Sequence, residues 1–470
     1  MQLKKNKGAR EKLARMSAGL LAATMPAVSQ KAAAQPYSYG SERDTFGPGI
    51  FYSQLDAAML VYQEAGGRVS AIEPTLDFSA HAADGRAFSL GAVADAVSGA
   101  TPNGAVPSDQ PQNFVTPIKA QGSTASVTSA SGGSTIIHLP PTPGQISAAA
   151  LGRQYTVPAN VLPMDKGFHD HRAAFTLGWS QPWGSITEVG LGGGYSRETD
   201  YQAITASTHV SQNFNANNTT ISLALNGELD SSFPFGGIPT PLAAMNAQWK
   251  TTAARDKTQF GFVMGWTEVV TRRWLMQLNY AFDRQSGYQN DPYRVISLVD
   301  SKTGEPTQSL YESRPARRQS QSIFWDNKLD LGPTISDLSL RYFTDSWGIN
   351  SKTAEFSERI NFGPDFYIEP SVRWYQQSAA NFFHYYLVSG QALPADATSD
   401  TRLGAFTADT IGAKIGFKLG KQSELYVKGE YYQQDGKGHP AGAIGQLQRQ
   451  NLFPGVKSEV AFIGYSWDFH

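Results

Sequence analysis

The chain contains no cysteine, which excludes structural disulfides, thiolate catalysis and cysteine-ligated zinc. Beyond the first residues, no apolar run approaches the roughly 20 residues that a transmembrane helix needs, and mean hydropathy is -0.34. Helices therefore do not carry this chain across a membrane. Neither sign of charge dominates. The 39 Lys and Arg residues face 40 Asp and Glu, so the basic field that nucleic-acid binding uses is missing. Enzyme signatures are missing as well: there is no Gly-x-Ser-x-Gly elbow, no P-loop and no His-Glu-x-x-His. The run Gly190-Leu191-Gly192-Gly193-Gly194 sits inside a strand pattern and lacks the helix that a dinucleotide fingerprint requires. No catalytic residue, cofactor or metal is expected from these patterns.

What is present points to strands. Aromatics make up 11% of the chain and glycine contributes 45 of 470 residues, a composition that suits many short strands and turns better than helices. The N-terminus reads separately. Lys4, Lys5, Lys7, Arg10, Lys12 and Arg15 form a positive region, Met16 to Val28 is small and apolar, and Ala32-Ala33-Ala34-Gln35 offers a cleavage site. That order is the pattern of a secretory signal peptide over residues 1–35. Residues 36–52 then form a short periplasmic segment before a barrel over 53–470. No N-terminal cysteine is available for a lipid anchor.

Period-2 alternation runs through the mature chain. Phe260, Phe262, Met264 and Trp266 alternate with Gly261, Val263, Gly265 and Thr267, and Ile411, Ala413, Ile415 and Phe417 alternate with Gly412, Lys414, Gly416 and Lys418. The pattern predicts about 16 strands, near 53–64, 69–82, 86–98, 170–181, 186–197, 201–214, 217–230, 257–270, 273–285, 319–331, 335–347, 351–362, 366–378, 402–419, 423–434 and 457–469. Alternation alone fits a soluble sandwich equally well. The connections decide between the two. Every second connection is a short turn, such as Ala83-Asp84-Gly85, Gly332-Pro333-Thr334, Gly363-Pro364-Asp365 and Gly420-Lys421-Gln422. All the long ones, near 99–169, 231–256, 286–318, 379–401 and 435–456, fall on the opposite end. Both chain ends lie with the short turns. A sandwich has no reason to sort its loops this way, whereas a transmembrane antiparallel up-and-down β-barrel with periplasmic turns and long extracellular loops requires it. The expected location is therefore the outer membrane of a Gram-negative bacterium, with outer-membrane lipid around the wall. Aromatics mark both ends of the strands: Trp179, Trp183, Trp274, Tyr367 and Phe469 at one, Tyr62, Tyr195, Phe282, Trp347 and Tyr432 at the other. They are expected to form two interfacial belts. The final strand, closing on Phe469, looks like the signal read by the outer-membrane assembly machinery, with the aromatic one place early.

Two stretches resemble a bacterial domain-of-unknown-function family of outer-membrane proteins. One is Asp95-Ala96-Val97-Ser98-Gly99-Ala100-Thr101-Pro102. The other runs from Glu312 to Phe383 and includes Glu312-Ser313-Arg314-Pro315, Arg341-Tyr342-Phe343-Thr344-Asp345-Ser346-Trp347-Gly348-Ile349 and Arg373-Trp374-Tyr375-Gln376-Gln377-Ser378. Members of that family are often encoded beside thioredoxin-like proteins, small lipoproteins and FMN transferases. The resemblance implies a barrel and names no activity.

A barrel of this strand number is wide enough for an aqueous lumen. Alternation turns Asp326, Lys328, Asp330, Arg341, Asp345, Glu355, Arg359, Glu369, Arg373 and Tyr375 inward on four adjacent strands. Such a wall of both signs suits a porin-like channel for small polar solutes. It equally suits salt bridges that stiffen the wall or hold an inward-folded loop. The alternative function is a barrel scaffold that holds or displays an exported lipoprotein or redox partner without transport. His169-Asp170-His171, with Asp165 nearby, is a weak metal pattern, outweighed by a solvated strand start. Residues 99–169 are rich in Ser, Thr, Gly, Pro and Ala and read as a flexible extracellular loop or plug without a core of its own. Phe382-Phe383 and Tyr385-Tyr386 suit either a grip on a partner or packing within their loop.

Overall fold

The computed structural model describes residues 50–117, 152–245 and 250–469. The signal-peptide region and the run Ser123–Ser134 lie outside them. Sixteen antiparallel strands form a closed barrel. They are β1 (Ile50–Glu64), β2 (Val69–Ala82), β3 (Ala87–Pro102), β4 (Met164–Trp183), β5 (Thr187–Arg197), β6 (Tyr201–Phe214), β7 (Thr219–Ser232), β8 (Arg255–Thr271), β9 (Trp274–Gly287), β10 (Arg317–Asp330), β11 (Thr334–Asp345), β12 (Asn350–Asn361), β13 (Phe366–Gln377), β14 (Phe406–Lys418), β15 (Ser423–Gly436) and β16 (Val456–Phe469). Each strand pairs with the next in sequence. β1 closes on β16 in a register that sets Ser53 against Phe469 and Glu64 against Ser458.

The outward faces explain why this sheet closes. Ile411, Leu229, Leu191 and Ile463 are 56–64% exposed, and similar residues recur at every second position on the wall. In water such a band would drive aggregation; against hydrocarbon it is the favourable surface. Lipid also forbids an unpaired strand edge, which closure removes. Short turns sit at one end. The β6–β7 turn places Asn215, Ala216 and Asn217 at positive φ (51°, 53° and 66°), a conformation that Asn tolerates better than most residues.

Three differences from the sequence reading have local causes. β3 and β4 run on to Pro102 and back to Met164, because their ladder continues past a register shift between Gly99 and Thr101. The wall begins at Ile50 rather than 53, and the start of β14 moves from 402 to Phe406, since Thr401–Leu403 forms a 3-10 turn. The aromatic belts are thinner than expected. Trp179, Trp183 and Trp274 are exposed on the outer face, but Tyr367 is 3% and Trp347 4% exposed, while the hydroxyl of Tyr62 donates to lumen-facing Glu64 at 2.9 Å. Position along a strand does not determine which face a residue takes; parity does.

Candidate functional site

A cavity of about 2160 Å³ runs through the barrel, lined by the strands and the short turns. The predicted charged wall, on β10 to β13, is largely paired. Lys328, 1% exposed, places Nζ 2.6 Å from Asp337 Oδ2, and Asp326 hydrogen-bonds the same carboxyl group. Arg359 Nε lies 2.6 Å from Glu369 Oε2, with its guanidinium 3.9 Å from the Tyr367 ring centre. Arg373 faces Glu355 at 3.9 Å. Arg341 Nη2 is 3.4 Å from Ser322 Oγ, and its guanidinium lies 5.9 Å from the Phe343 ring. Asp330 accepts the Gly332 amide in a periplasmic turn at 2.7 Å. Asp345 binds Arg318 at 2.6 Å and accepts the amides of Trp347 and Ile349, so it shapes the β11–β12 connection. Tyr375 donates to Gln377 Oε1 at 2.7 Å.

Side-chain size divides the lumen. On the β10–β16 side, Phe324, Phe343, Tyr367, Tyr426 and Phe462 reach inward. Glycines make room for two of these rings. A Cβ on Gly416 would stand 2.1 Å from the Tyr367 ring, and one on Gly464 2.2 Å from the Tyr426 ring. On the opposite arc small side chains predominate: Gly91 and Ser89 on β3, Gly178 on β4, Gly192 and Gly194 on β5 and Ser207 on β6 line the cavity, with Thr176, Thr205 and His209 among them. The free cross-section is therefore displaced toward β3–β9. Charge divides it in the same way. The β1–β9 arc contributes six carboxylates and two cations to the lining, and the β10–β16 side seven carboxylates and eight cations. Sequence reasoning named only the paired half. The glycine-rich half was visible as alternation, but small residues carry no chemical signature.

Above the lumen the long loops fold into a cap. Sixteen strands about 4.8 Å apart and tilted about 40° enclose a ring about 30 Å across. The β3–β4 and β9–β10 loops start six strands apart, so they can meet only over the mouth. They do meet. The Val295 amide donates to Asn103 O at 2.9 Å, and the Val106 amide donates to Ser297 Oγ at 3.0 Å. Ser399 Oγ, from the β13–β14 loop, lies 2.7 Å from Gly104 O and 2.9 Å from Val295 O. At the centre Val295–Val299 pairs with Pro306–Tyr311 and Leu387–Val388, and Ile296 and Val299 are fully buried. Val106, Val299, Ala443, Leu447 and Leu452 form one apolar cluster drawn from three loops. The described ends of the 99–169 connection are thus packed, with Ala105, Phe114 and Val157 buried. Phe382 is buried in the cap, and Tyr385 and Tyr386 donate to Lys437 O and Gly442 O, so these aromatics pack their loop.

Charge ties the cap together. Arg314 lies 2.6 Å from Glu312 and 2.9 Å from Asp400, and Arg294 is 3.5 Å from both Asp291 and Asp400. Burial works to raise the Asp400 carboxyl, but Arg294, Arg402 and Arg314 outweigh it and hold the group far below the ordinary carboxylate range. Glu312 moves the other way, raised chiefly by burial. At the outer rim, burial, followed by the nearby Asp170, pushes Glu198 up to about 7.

His169 and His171 both stand exposed on the outer side of β4, and between and beyond them Asp170 and Arg172 turn inward. Among the described residues, no group of three or more His, Asp or Glu side chains is placed to hold a metal ion.

A family model described as "Protein of unknown function (DUF3570)" matches residues 20–467. No curated protein matches the sequence. Solved barrels resemble the fold at low identity. The siderophore receptor PirA from Acinetobacter baumannii is 8% identical, with a TM-score of 0.39 over 82% of this chain and 53% of that one. The ferric enterobactin receptor PfeA from Pseudomonas aeruginosa is 9% identical, with a TM-score of 0.41 over 89% and 61%. OccK2 (OpdF) from Pseudomonas aeruginosa is 8% identical, with a TM-score of 0.36 over 89% and 97%. The chain spans a little over half the length of the two receptors.

Proposed function

The chain belongs to the DUF3570 family of proteins of unknown function, and from its barrel we propose a porin-like outer-membrane channel for small polar solutes. The observation that carries this reading is the cavity of about 2160 Å³, continuous from the periplasmic turns at Gly332, Gly363 and Gly420 to Glu198 and Tyr201 at the outer rim. A wall that only needed to close on itself would fill its interior with side chains, as small barrels do. Here one arc is kept open mainly by glycine, serine and alanine. Solutes pass along that arc, beside the cap, which narrows the mouth. Single-channel recording on the purified barrel in planar bilayers tests the proposal: discrete conductance steps are expected, and membranes that stay silent while the barrel is folded sink it.

The cap itself favours a second reading. A stopper with a fully buried centre at Ile296 and Val299 suits a chamber that opens only to the periplasm and holds an exported partner. That reading expects silent membranes and a barrel that copurifies with a periplasmic lipoprotein or redox protein.

A further inference from the structure

We infer that the bore selects for cations, so that its solutes are small molecules carrying an ammonium or comparable positive group. This rests on the channel reading and deepens it. Two independent features fall on the same half of the wall, β1–β9. The first is space, since glycine, alanine and serine outnumber Thr176, Thr205 and His209 on the inward face of β3–β6, while most of the bulky aromatics stand opposite. The second is charge. At the outer end of that arc Arg172 is shared by two carboxylates, Asp95 at 2.5 Å and Glu73 at 3.3 Å, and Lys257 is committed to Asp230 at 2.9 Å. Glu198 at the end of β5, Glu228 on β7 and Asp283 on β9 line the same cavity, and the cations that act on them, Arg172, Lys257 and Arg318, are already paired with Asp95, Asp230 and Asp345. On the facing wall Lys328, Arg359 and Lys428 are each matched by a carboxylate at 2.5–2.6 Å. Over the whole lining thirteen carboxylates stand against ten cations, so the net charge is negative and its surplus lies on the β1–β9 half.

Physical estimates set the size of the effect. Three surplus negative charges about 10 Å from a passing ion, in water at 0.1 M salt and pH 8 or above, favour a cation over an anion by roughly 3- to 5-fold. At 1 M salt the Debye length falls to about 3 Å and the preference should approach unity.

The test uses the whole folded barrel in planar bilayers, with reversal potentials measured across a potassium chloride gradient. The expected result is potassium preferred over chloride several-fold at 0.1 M and nearly equal permeation at 1 M. The single variant Glu198→Gln and the triple variant Glu198→Gln/Glu228→Gln/Asp283→Asn should step the ratio toward one. Should the triple variant misfold, as judged by loss of heat-modifiable gel migration, Glu198→Gln at the rim still gives the reading. Conducting membranes that prefer chloride, or a ratio that neither salt nor these substitutions change, overturn the selectivity alone. Silent membranes overturn the channel and the selectivity with it.

Discussion

Replacing Asp400 by Asn should unlock the cap while leaving the wall folded. Asp400 is 1% exposed and accepts from Arg314 Nη2 at 2.9 Å and from Arg402 Nη2 at 2.7 Å, with Arg294 Nε at 3.5 Å. The Arg402 side chain is 67% exposed, whereas those of Arg314 and Arg294 are 12% and 11% exposed. Water screens the first contact, so it contributes under about 1 kcal/mol. Arg314 and Arg294 keep Glu312 and Asp291 but lose the charge of the carboxylate they share in a dry site, which costs on the order of 1.5–3 kcal/mol. That loss falls on loop–loop contacts and not on the β-ladders, so it should appear as local opening. With about 1.4 kcal/mol per tenfold, hydrogen exchange at the Val295 amide, which is bonded to Asn103 O, should accelerate by roughly 10- to 100-fold. Arg402→Gln serves as the control and should accelerate it less than about tenfold. The sign with pH is fixed too. A carboxyl depressed in the folded state stabilises fully above its unfolded value near 4, and loses that contribution only as pH falls through its depressed value. Wild-type cap protection should therefore outlast mild acid. Unchanged exchange in Asp400→Asn would refute the lock, and so would collapse of the whole barrel, since the cost would then lie in the wall.

Other outcomes follow from the same geometry. Lys328→Met leaves Asp326 and Asp337 close together without their cation, and should destabilise the barrel by about 3–5 kcal/mol, seen as earlier thermal unfolding in detergent; an unchanged midpoint would mean the pair is not buried as described. Gly192→Phe should cut single-channel conductance with little effect on stability, because the new Cβ would crowd the Ser207 hydroxyl, at 2.6 Å, which can rotate away, and its contact with Leu177 O, at 3.5 Å, is an ordinary one. Acidification should weaken the cation preference as pH falls through about 7, where Glu198 takes up a proton amid Asp170, Arg172, Asp200 and Asp95. A carboxyl whose folded value is raised also adds stability as pH drops from about 7 toward 4. A permeability ratio flat between pH 8 and 6 would remove Glu198 from the path.

Much of the wall was legible because its rule is local. Phe260, Met264 and Trp266 face lipid, and Gly261 and Gly265 face the lumen, by parity alone, and short turns announce themselves through residues such as Gly363-Pro364-Asp365. Parity also turned Arg359 and Glu369 inward. It could not show that they meet at 2.6 Å, because register between strands depends on hydrogen-bond pairing that no single strand encodes.

The cap escaped for a different reason. Its centre is built from pieces that look unremarkable one at a time: the five residues Val295–Val299, Val106 in a Pro- and Ser-rich stretch, and Leu447 and Leu452 more than 140 residues further on. Val295–Val299 pairs with Pro306–Tyr311 in its own loop, but the apolar cluster is complete only when three loops meet, so neither period nor composition marks it as core. Their burial exists only once the barrel brings the loop stems to one mouth. The dependence runs one way. The wall satisfies its own backbone groups strand by strand and needs no cap, but the cap has no core without the wall. That asymmetry is why an opened cap on an intact barrel is a physically accessible state. Under the channel reading it also makes the loops, rather than the strands, the place that controls passage.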